Sequence, residues 1–160
     1  MSFFTDVVEW HQKVGHPVSK EQSIVPGEAI DLGWELIVEE FKELVRGMTK
    51  QDIEEVADGL GDMIWVLCGF GARAGINLDA VWSEIRAANF RKIGGPVRED
   101  GKLLKPPGWE PPNIQRALRV SVWGEVEHET KKCSVCGETQ YRTYSGWVCS
   151  KGHGGAPSCE

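Results

Sequence analysis

The sequence predicts an all-α fold, an antiparallel four-helix bundle, followed by a small C-terminal β module. Four stretches with helical spacing of apolar residues fill the first 95 positions. The connectors at Gly47-Met48 and Gly75-Ile76 are tight, and short connectors force neighbouring helices to run antiparallel. Four of the five cysteines come after position 130, among residues of β-type composition.

The first two helices are bounded by proline and glycine. Apolar residues at helical spacing predict one helix over residues 3–14, with Gly15 as its stop. The second helix is predicted over 26–46, because Pro26 suits a first helical turn and Gly47 suits the position after the last one.

The next two helices are bounded by capping residues and glycine. Thr49 is predicted to cap the third helix, which Gly75 closes. Asn77 or Asp79 opens the fourth helix, which is predicted to end at the glycine pair 94–95. These boundaries make residues 1–95 a helical domain.

Composition changes after the fourth helix. Residues 96–118 are rich in proline and glycine, which exclude a regular helix or a central strand, so this segment is predicted to be an extension or linker. Residues 119–160 hold the clustered cysteines between two stretches of β-type composition. They are predicted to form a separate module.

Charge and hydropathy narrow the class of protein. The formal net charge of −6 argues against a general nucleic-acid-binding surface, which needs a basic field. The N-terminus lacks a secretory pattern, and the longest apolar run, 63–70, is too short to cross a bilayer. A cytoplasmic protein without a membrane partner is therefore predicted.

Acidic residues form two matched rows on consecutive predicted helices. The rows, at spacings of three and four residues, are Glu39, Glu40 and Glu43 on the second helix, and Glu55, Asp58 and Asp62 on the third. Asp62 precedes an apolar run, which predicts it in or beside the bundle core. Converging carboxylates repel unless a proton or cation lies between them. Oxygen ligands without His or Cys favour Mg²⁺ or Mn²⁺ over zinc.

Five strings carry a family resemblance: DVVEWH from Asp6, LIVEEFKEL from Leu36, DGLGDMIWV from Asp58, NFRK from Asn89, and the segment 99–112. In this order they resemble the MazG-like all-α nucleoside triphosphate pyrophosphatases, particularly the compact phage-type members, over residues 3–114. Members of that family cleave NTPs or dNTPs to a monophosphate and pyrophosphate with bound Mg²⁺.

The resemblance implies four metal ligands. Glu39 or Glu40, with Glu43, matches the family's E-E-x-x-E, and Glu40 is taken as the ligand; Asp62 matches the aspartate of a following E-x-x-D. Gly59 stands where that motif has its glutamate, so the fourth ligand is Asp58, which faces the same side, or Glu55.

The remaining roles concern the water and the nucleotide. Glu39 and Glu40 are the predicted catalytic residues, with Glu39 orienting the attacking water as general base. Asn89 and Lys92 share a helical face and are predicted to bind substrate through a hydrogen bond and a phosphate contact. Weaker candidates for phosphate contacts are Arg91, Arg98, Lys102 and Lys105, which fit equally well as helix-terminal or solvated charges. Trp34, Trp65 and Trp82 are predicted in the bundle interior.

The cysteines predict a structural zinc site in a zinc-ribbon-like module. Cys133 and Cys136 form a C-x-x-C knuckle, and Cys149 with His153 forms a second ligand group. Cys159 is the alternative to His153. A nucleic-acid or protein partner for this module has no further support in the sequence.

Two functions follow from these features. The first is Mg²⁺-dependent nucleotide pyrophosphohydrolysis by a homodimer or homotetramer. The alternative is a zinc-ribbon adaptor whose helical bundle serves only for oligomerisation, and such a bundle has no need for Asp62 before an apolar run.

Overall fold

The chain forms two compact units. A computed structural model describes residues 2–125, 130–143, 146–149 and 154–155. The first unit is Met1–Gly124 and the second is Glu125–Glu160. The predicted segments 1–95 and 96–118 belong to the same unit, since the extension packs with the helices.

Five helices lie in the first unit. They are α1 Phe3–Val14, α2 Glu28–Lys50, α3 Ile53–Arg73, α4 Leu78–Phe90 and the short α5 Ile114–Ala117. The prediction of an all-helical fold for this part of the chain is therefore confirmed. α2 packs along α3, α1 packs against α3, and the main partner of α4 is α5. The chain direction turns by 117° between α3 and α4, so the four long helices do not close into one bundle within a single chain.

The predicted ends of α1 are confirmed, whereas those of α2 are not. Gly15 adopts a left-handed conformation with φ of 77° and terminates α1. α2 runs past Gly47 to Lys50. Gly47 is a contact residue rather than a stop, because a Cβ at this position would lie 3.0 Å from the backbone nitrogen of Val56.

Capping of the later helices differs from the prediction at one position. Thr49 does not cap α3; it lies inside α2, where its hydroxyl donates to the Val45 carbonyl at 2.8 Å. Asp52 caps α3 instead, and its carboxylate accepts from the backbone N–H groups of Glu54 and Glu55. Asn77 caps α4 as predicted. α4 ends at Phe90, before the glycine pair 94–95, and turns follow it.

Small residues bring α2 and α3 close together. A Cβ on Gly59 would lie 3.1 Å from the Cα of Leu44, and Gly47 is equally close to α3. A side chain at either position would push the two helix backbones apart. This close approach places the acidic rows of the two helices side by side.

The apolar core lies where α1 meets α3. Its buried residues are Phe4, Val7, Cys68 and Ala72. The three tryptophans predicted in the interior are not there: Trp34, Trp65 and Trp82 are 60%, 40% and 65% exposed. Their helical spacing places them on largely exposed helix faces, although Trp65 makes an edge-to-face contact with Trp10 of α1 at 5.6 Å.

A buried carboxylate joins α4 to the end of the extension. Glu84 accepts from the backbone N–H of Asn113 at 3.1 Å and from Nε of Arg116 at 2.5 Å. The indole N–H of Trp109 donates to the Ala88 carbonyl at 2.7 Å. The C-terminal half of the Pro/Gly-rich segment, from Trp109 to Arg116, is therefore tied to α4.

Short strands complete the chain. β1 Val120–Ser121 pairs with β2 Gly124–Glu125. In the second unit, four strands form an antiparallel sheet in sequence order: β3 Thr130–Lys132, β4 Thr139–Thr143, β5 Gly146–Cys149 and β6 Gly154–Gly155. Among the described residues, no single helix is long and apolar enough to span a membrane; α3 and α4 reach that length and composition only together, across their bend.

Candidate active site

Five carboxylates gather around the contact between α2 and α3. Glu40 lies half-buried on α2. Desolvation raises the pKa of Glu40 above its ordinary value, and the negative charges of Asp62, Glu43, Glu39 and Asp58 raise it further. The acids from the two helices therefore act on one another, as their helical spacing predicted.

Among these acids, Asp62 is the one whose exposure differs from the prediction. Asp62 is exposed, not in or beside a core. The apolar residues that follow it, Ile64 and Trp65, are 41% and 40% exposed, and the Trp65 ring meets the Trp10 ring of α1 edge-to-face at 5.6 Å. Glu43 is half-buried, while Glu39 and Asp58 are exposed.

Glu55 stands apart from the other acids. Its carboxylate accepts from Nε of Arg46 at 2.7 Å and from Nζ of Lys50 at 3.0 Å, and these contacts lower its pKa. Arg46 also pairs with Glu43 at 3.2 Å. The role of Arg46 was missed in the sequence, although its position three residues after Glu43 is a recognisable signal.

The chemistry of the acidic cluster suits a hard divalent cation. In the described part of the chain, Glu39, Glu40, Asp58 and Asp62 make no ion pair. Oxygen ligands of this kind are those that Mg²⁺ prefers. As the side chains stand, no three His, Cys, Asp or Glu residues among those described are close enough to hold one ion.

Comparison with known proteins agrees with this arrangement of helices and acids. The profile of the phosphoribosyl-ATP pyrophosphohydrolase family matches residues 7–89, which include all of the acidic cluster. The chain belongs to this family. The all-helical pyrophosphohydrolase fold expected from the sequence is thereby confirmed, and the chain is a nucleotide pyrophosphohydrolase-like protein.

A viral protein shares part of the same region. An uncharacterized protein of Acanthamoeba polyphaga mimivirus is 34% identical over 77 residues, which cover 46% of this chain. The match spans 31% of the viral protein, so the similarity concerns one segment of that longer chain.

The predicted substrate residues of this pyrophosphohydrolase-family chain meet at the end of α4. Lys92 donates through Nζ to the side-chain oxygen of Asn89 at 2.7 Å, and Asn89 donates to the Ile85 carbonyl at 3.0 Å. Asn89 is exposed and Lys92 is half-buried. Asn89 and Lys92 are therefore hydrogen-bonded to each other. Their binding of a nucleotide stays a prediction.

The predicted zinc ligands lie only partly within the described residues. Cys133 is buried and Cys136 is half-buried, at a turn between β3 and β4 where Gly137 is left-handed with φ of 72°. The backbone of Cys149 ends β5. His153 and Cys159 lie outside the described residues, so the predicted zinc site stays a prediction.

Proposed function

We propose that the protein is a Mg²⁺-dependent nucleoside triphosphate pyrophosphohydrolase that cleaves NTPs or dNTPs to monophosphate and pyrophosphate. The observation that supports it most directly is the raised pKa of Glu40 amid four other carboxylates from α2 and α3. Acids so placed need a cation, and a polyphosphate substrate arrives with one. Membership of a pyrophosphohydrolase family supports the same reaction class.

Four residues would hold the metal: Glu40, Glu43, Asp58 and Asp62. Asp58 is preferred to Glu55 as the fourth ligand, because Glu55 is already neutralised by Arg46 and Lys50. A bound Mg²⁺ neutralises phosphate oxygens and lowers the pKa of coordinated water.

Other side chains would accept the proton of the attacking water and bind the substrate. Glu39 is exposed beside Glu40 and would orient the attacking water, accepting its proton on a carboxylate oxygen. Lys92 would neutralise a phosphate, and Asn89 would hydrogen-bond the sugar or a phosphate. The existing Lys92–Asn89 hydrogen bond holds the two side chains together before substrate arrives.

A second copy of the chain is proposed to cover the open helix faces. Large apolar side chains are exposed on α2 and α3, including Phe41, Val45, Leu60, Ile64 and Leu67. Contiguous apolar surface of this kind marks an interaction site. A homodimer or homotetramer is expected in sedimentation, and a monomer at all concentrations would contradict this part of the proposal.

Turnover of a nucleotide panel tests the enzyme. Purified protein is incubated with NTPs, dNTPs and phosphoribosyl-ATP in Mg²⁺ or EDTA, and pyrophosphate is measured. Glu43→Gln and Asp62→Asn are expected to lower turnover by about 100-fold or more, with the helical circular dichroism unchanged. Asp31→Asn, on an exposed part of α2, is the matched control.

Each outcome has a clear meaning. Activity that survives in Glu43→Gln and Asp62→Asn would refute the site. An inactive wild-type protein across the whole panel would refute the enzyme and leave the zinc-ribbon adaptor as the better description.

A structural zinc ion in the second unit is a separate proposal. Cys133, Cys136, Cys149 and His153 would supply its ligands, with Cys159 as the alternative to His153. The buried Cys133 and the left-handed Gly137 support the first half of the site. One equivalent of zinc by elemental analysis, lost in Cys133→Ser, is the expected result, and zinc-free folded protein would contradict it.

A further inference from the structure

Cations gather at the end of α4 in the way that acids gather between α2 and α3. Trp109 of the extension lies against α4, and two lysines approach its ring. Nζ of Lys105 is 4.2 Å from the indole centroid, and Nζ of Lys92 is 5.8 Å from the same ring. Lys92 comes from the turn after α4, whereas Lys105 comes from the extension.

A hairpin in the extension brings Lys105 back toward the turn after α4. Residues 96–104 form a small hairpin, in which Val97 bridges Leu103 and the Leu104 N–H donates to the Pro96 carbonyl at 2.7 Å. Gly95 allows the hairpin to return closely, because a Cβ there would lie 2.6 Å from the Leu104 carbonyl oxygen. Lys105 follows directly after this hairpin.

A second set of contacts fixes Trp109. Its indole N–H donates to the Ala88 carbonyl. The guanidinium of Arg91 donates to the carbonyl oxygens of Glu110 and Pro111 at 3.2 and 3.5 Å. Arg91 therefore holds the extension in place, and the two lysines remain as the cations that a ligand can use.

The charges of these lysines are not balanced by carboxylates. In the described ranges, neither Lys92 nor Lys105 makes an ion pair, and the side-chain partner of Lys92 is the neutral Asn89. Two ammonium groups near one aromatic ring repel each other, although the ring attracts each of them. An anion beside both would remove that repulsion.

We propose that Lys92, Lys105 and Trp109 form a polyphosphate-binding cluster, in which Lys105 of the extension is a second phosphate ligand and Trp109 positions both ammonium groups. This inference rests on the proposed function, in which Lys92 contacts a phosphate, and it adds Lys105 of the extension as a second cation beside Lys92. The ligand class is the pyrophosphate part of a nucleoside triphosphate, or pyrophosphate itself as product.

Binding of inorganic pyrophosphate tests the cluster without requiring turnover. Isothermal titration calorimetry in Mg²⁺ compares wild type with Lys105→Gln, Lys105→Arg and Trp109→Leu. Lys105→Gln and Trp109→Leu are expected to weaken pyrophosphate binding about tenfold, the usual size of a lost charge-assisted hydrogen bond. Lys105→Arg keeps the charge and is expected to retain most of the affinity. Lys102→Gln, three residues earlier and exposed, is the matched control.

The same variants separate this inference from the enzyme itself. In an active protein, Lys105→Gln is expected to raise KM while kcat stays within about threefold, as for lost ground-state binding. If Lys105→Gln binds pyrophosphate as tightly as wild type, the cluster is refuted while wild-type turnover still supports the enzyme. If Lys102→Gln weakens pyrophosphate binding as much as Lys105→Gln does, the loss of affinity reflects the net charge of the protein. The cluster is then refuted as well. If wild type is inactive but its pyrophosphate affinity depends on Lys105, the anion site stands and the enzyme does not.

Discussion

Two carboxylates of the helical unit lie in opposite electrostatic environments. Glu84 is buried on α4, and although burial alone raises a carboxyl pKa, hydrogen bonds from Arg116 and the Asn113 backbone lower the pKa of Glu84 overall. Glu40 is half-buried on α2, where desolvation and the neighbouring acids raise its pKa. Both residues are glutamates on amphipathic helices.

The two carboxylates differ in whether groups of their own chain balance their charge. The charge of Glu84 is balanced by groups of its own chain, so it closes the joint between α4 and α5 and needs nothing more. The charge of Glu40 is opposed by the neighbouring acids of its own chain, and under the proposed function a bound Mg²⁺ would balance it. Substituting glutamine at each position therefore tests the comparison directly, with opposite signs expected for stability.

The largest effect on stability is expected at the joint. Glu84→Gln removes the charge that Arg116 and the Asn113 N–H bind, in a side chain that is only 9% exposed. The free energy of unfolding is expected to fall by about 1–3 kcal/mol, and the Tm by about 2–4 °C for each kcal/mol. Thermal unfolding of Glu84→Gln and of the exposed neighbour Glu110→Gln provides the measurement. Equal Tm values for the two variants would show that the joint is not stabilising.

Acid should remove the same contribution from the wild type. Because the pKa of Glu84 is lowered from its ordinary value of 4.5, its stabilisation is complete above that pH. Below it the unfolded chain binds a proton before the folded one, so the stabilisation is lost as pH falls through the folded pKa. Urea unfolding from pH 7 to below 4 should show the gap between wild type and Glu84→Gln closing only under pH 4.5. A gap that persists unchanged in acid would mean that ionisation of Glu84 is irrelevant.

These two sites also show how far sequence alone reaches. The acidic rows follow from spacings of three and four residues, and the cap at Asn77 is equally local. Glu84 was not foreseen, because its partner Arg116 lies 32 positions away. No local pattern states which distant cation a carboxylate will meet.

The wrong predictions have the same origin. Gly47 reads locally as a helix stop, but it serves the packing of α2 against α3, so α2 continues and Thr49 lies inside it. The apolar run after Asp62 predicted this residue in or beside the bundle core, but Asp62 is exposed. The sequence does not state how far such a run will be covered, and Ile64, Trp65 and Leu67 are 41%, 40% and 45% exposed in this chain.

The smallest and most pointed effect is expected at Glu40. Without metal, Glu40→Gln removes a charge that its neighbours repel, and unfolding is expected to require about 0.5 kcal/mol more, the size of a few like-charge contacts on helices. With Mg²⁺ the order should reverse, because the wild type gains a bound ion that the variant holds less well. Thermal scans of both proteins in EDTA and in Mg²⁺ measure this difference. A Glu40→Gln variant that is less stable than wild type in EDTA would contradict this expectation. The charge of Glu40 would then be stabilised by groups of its own chain, as that of Glu84 is. The acidic cluster would need no metal.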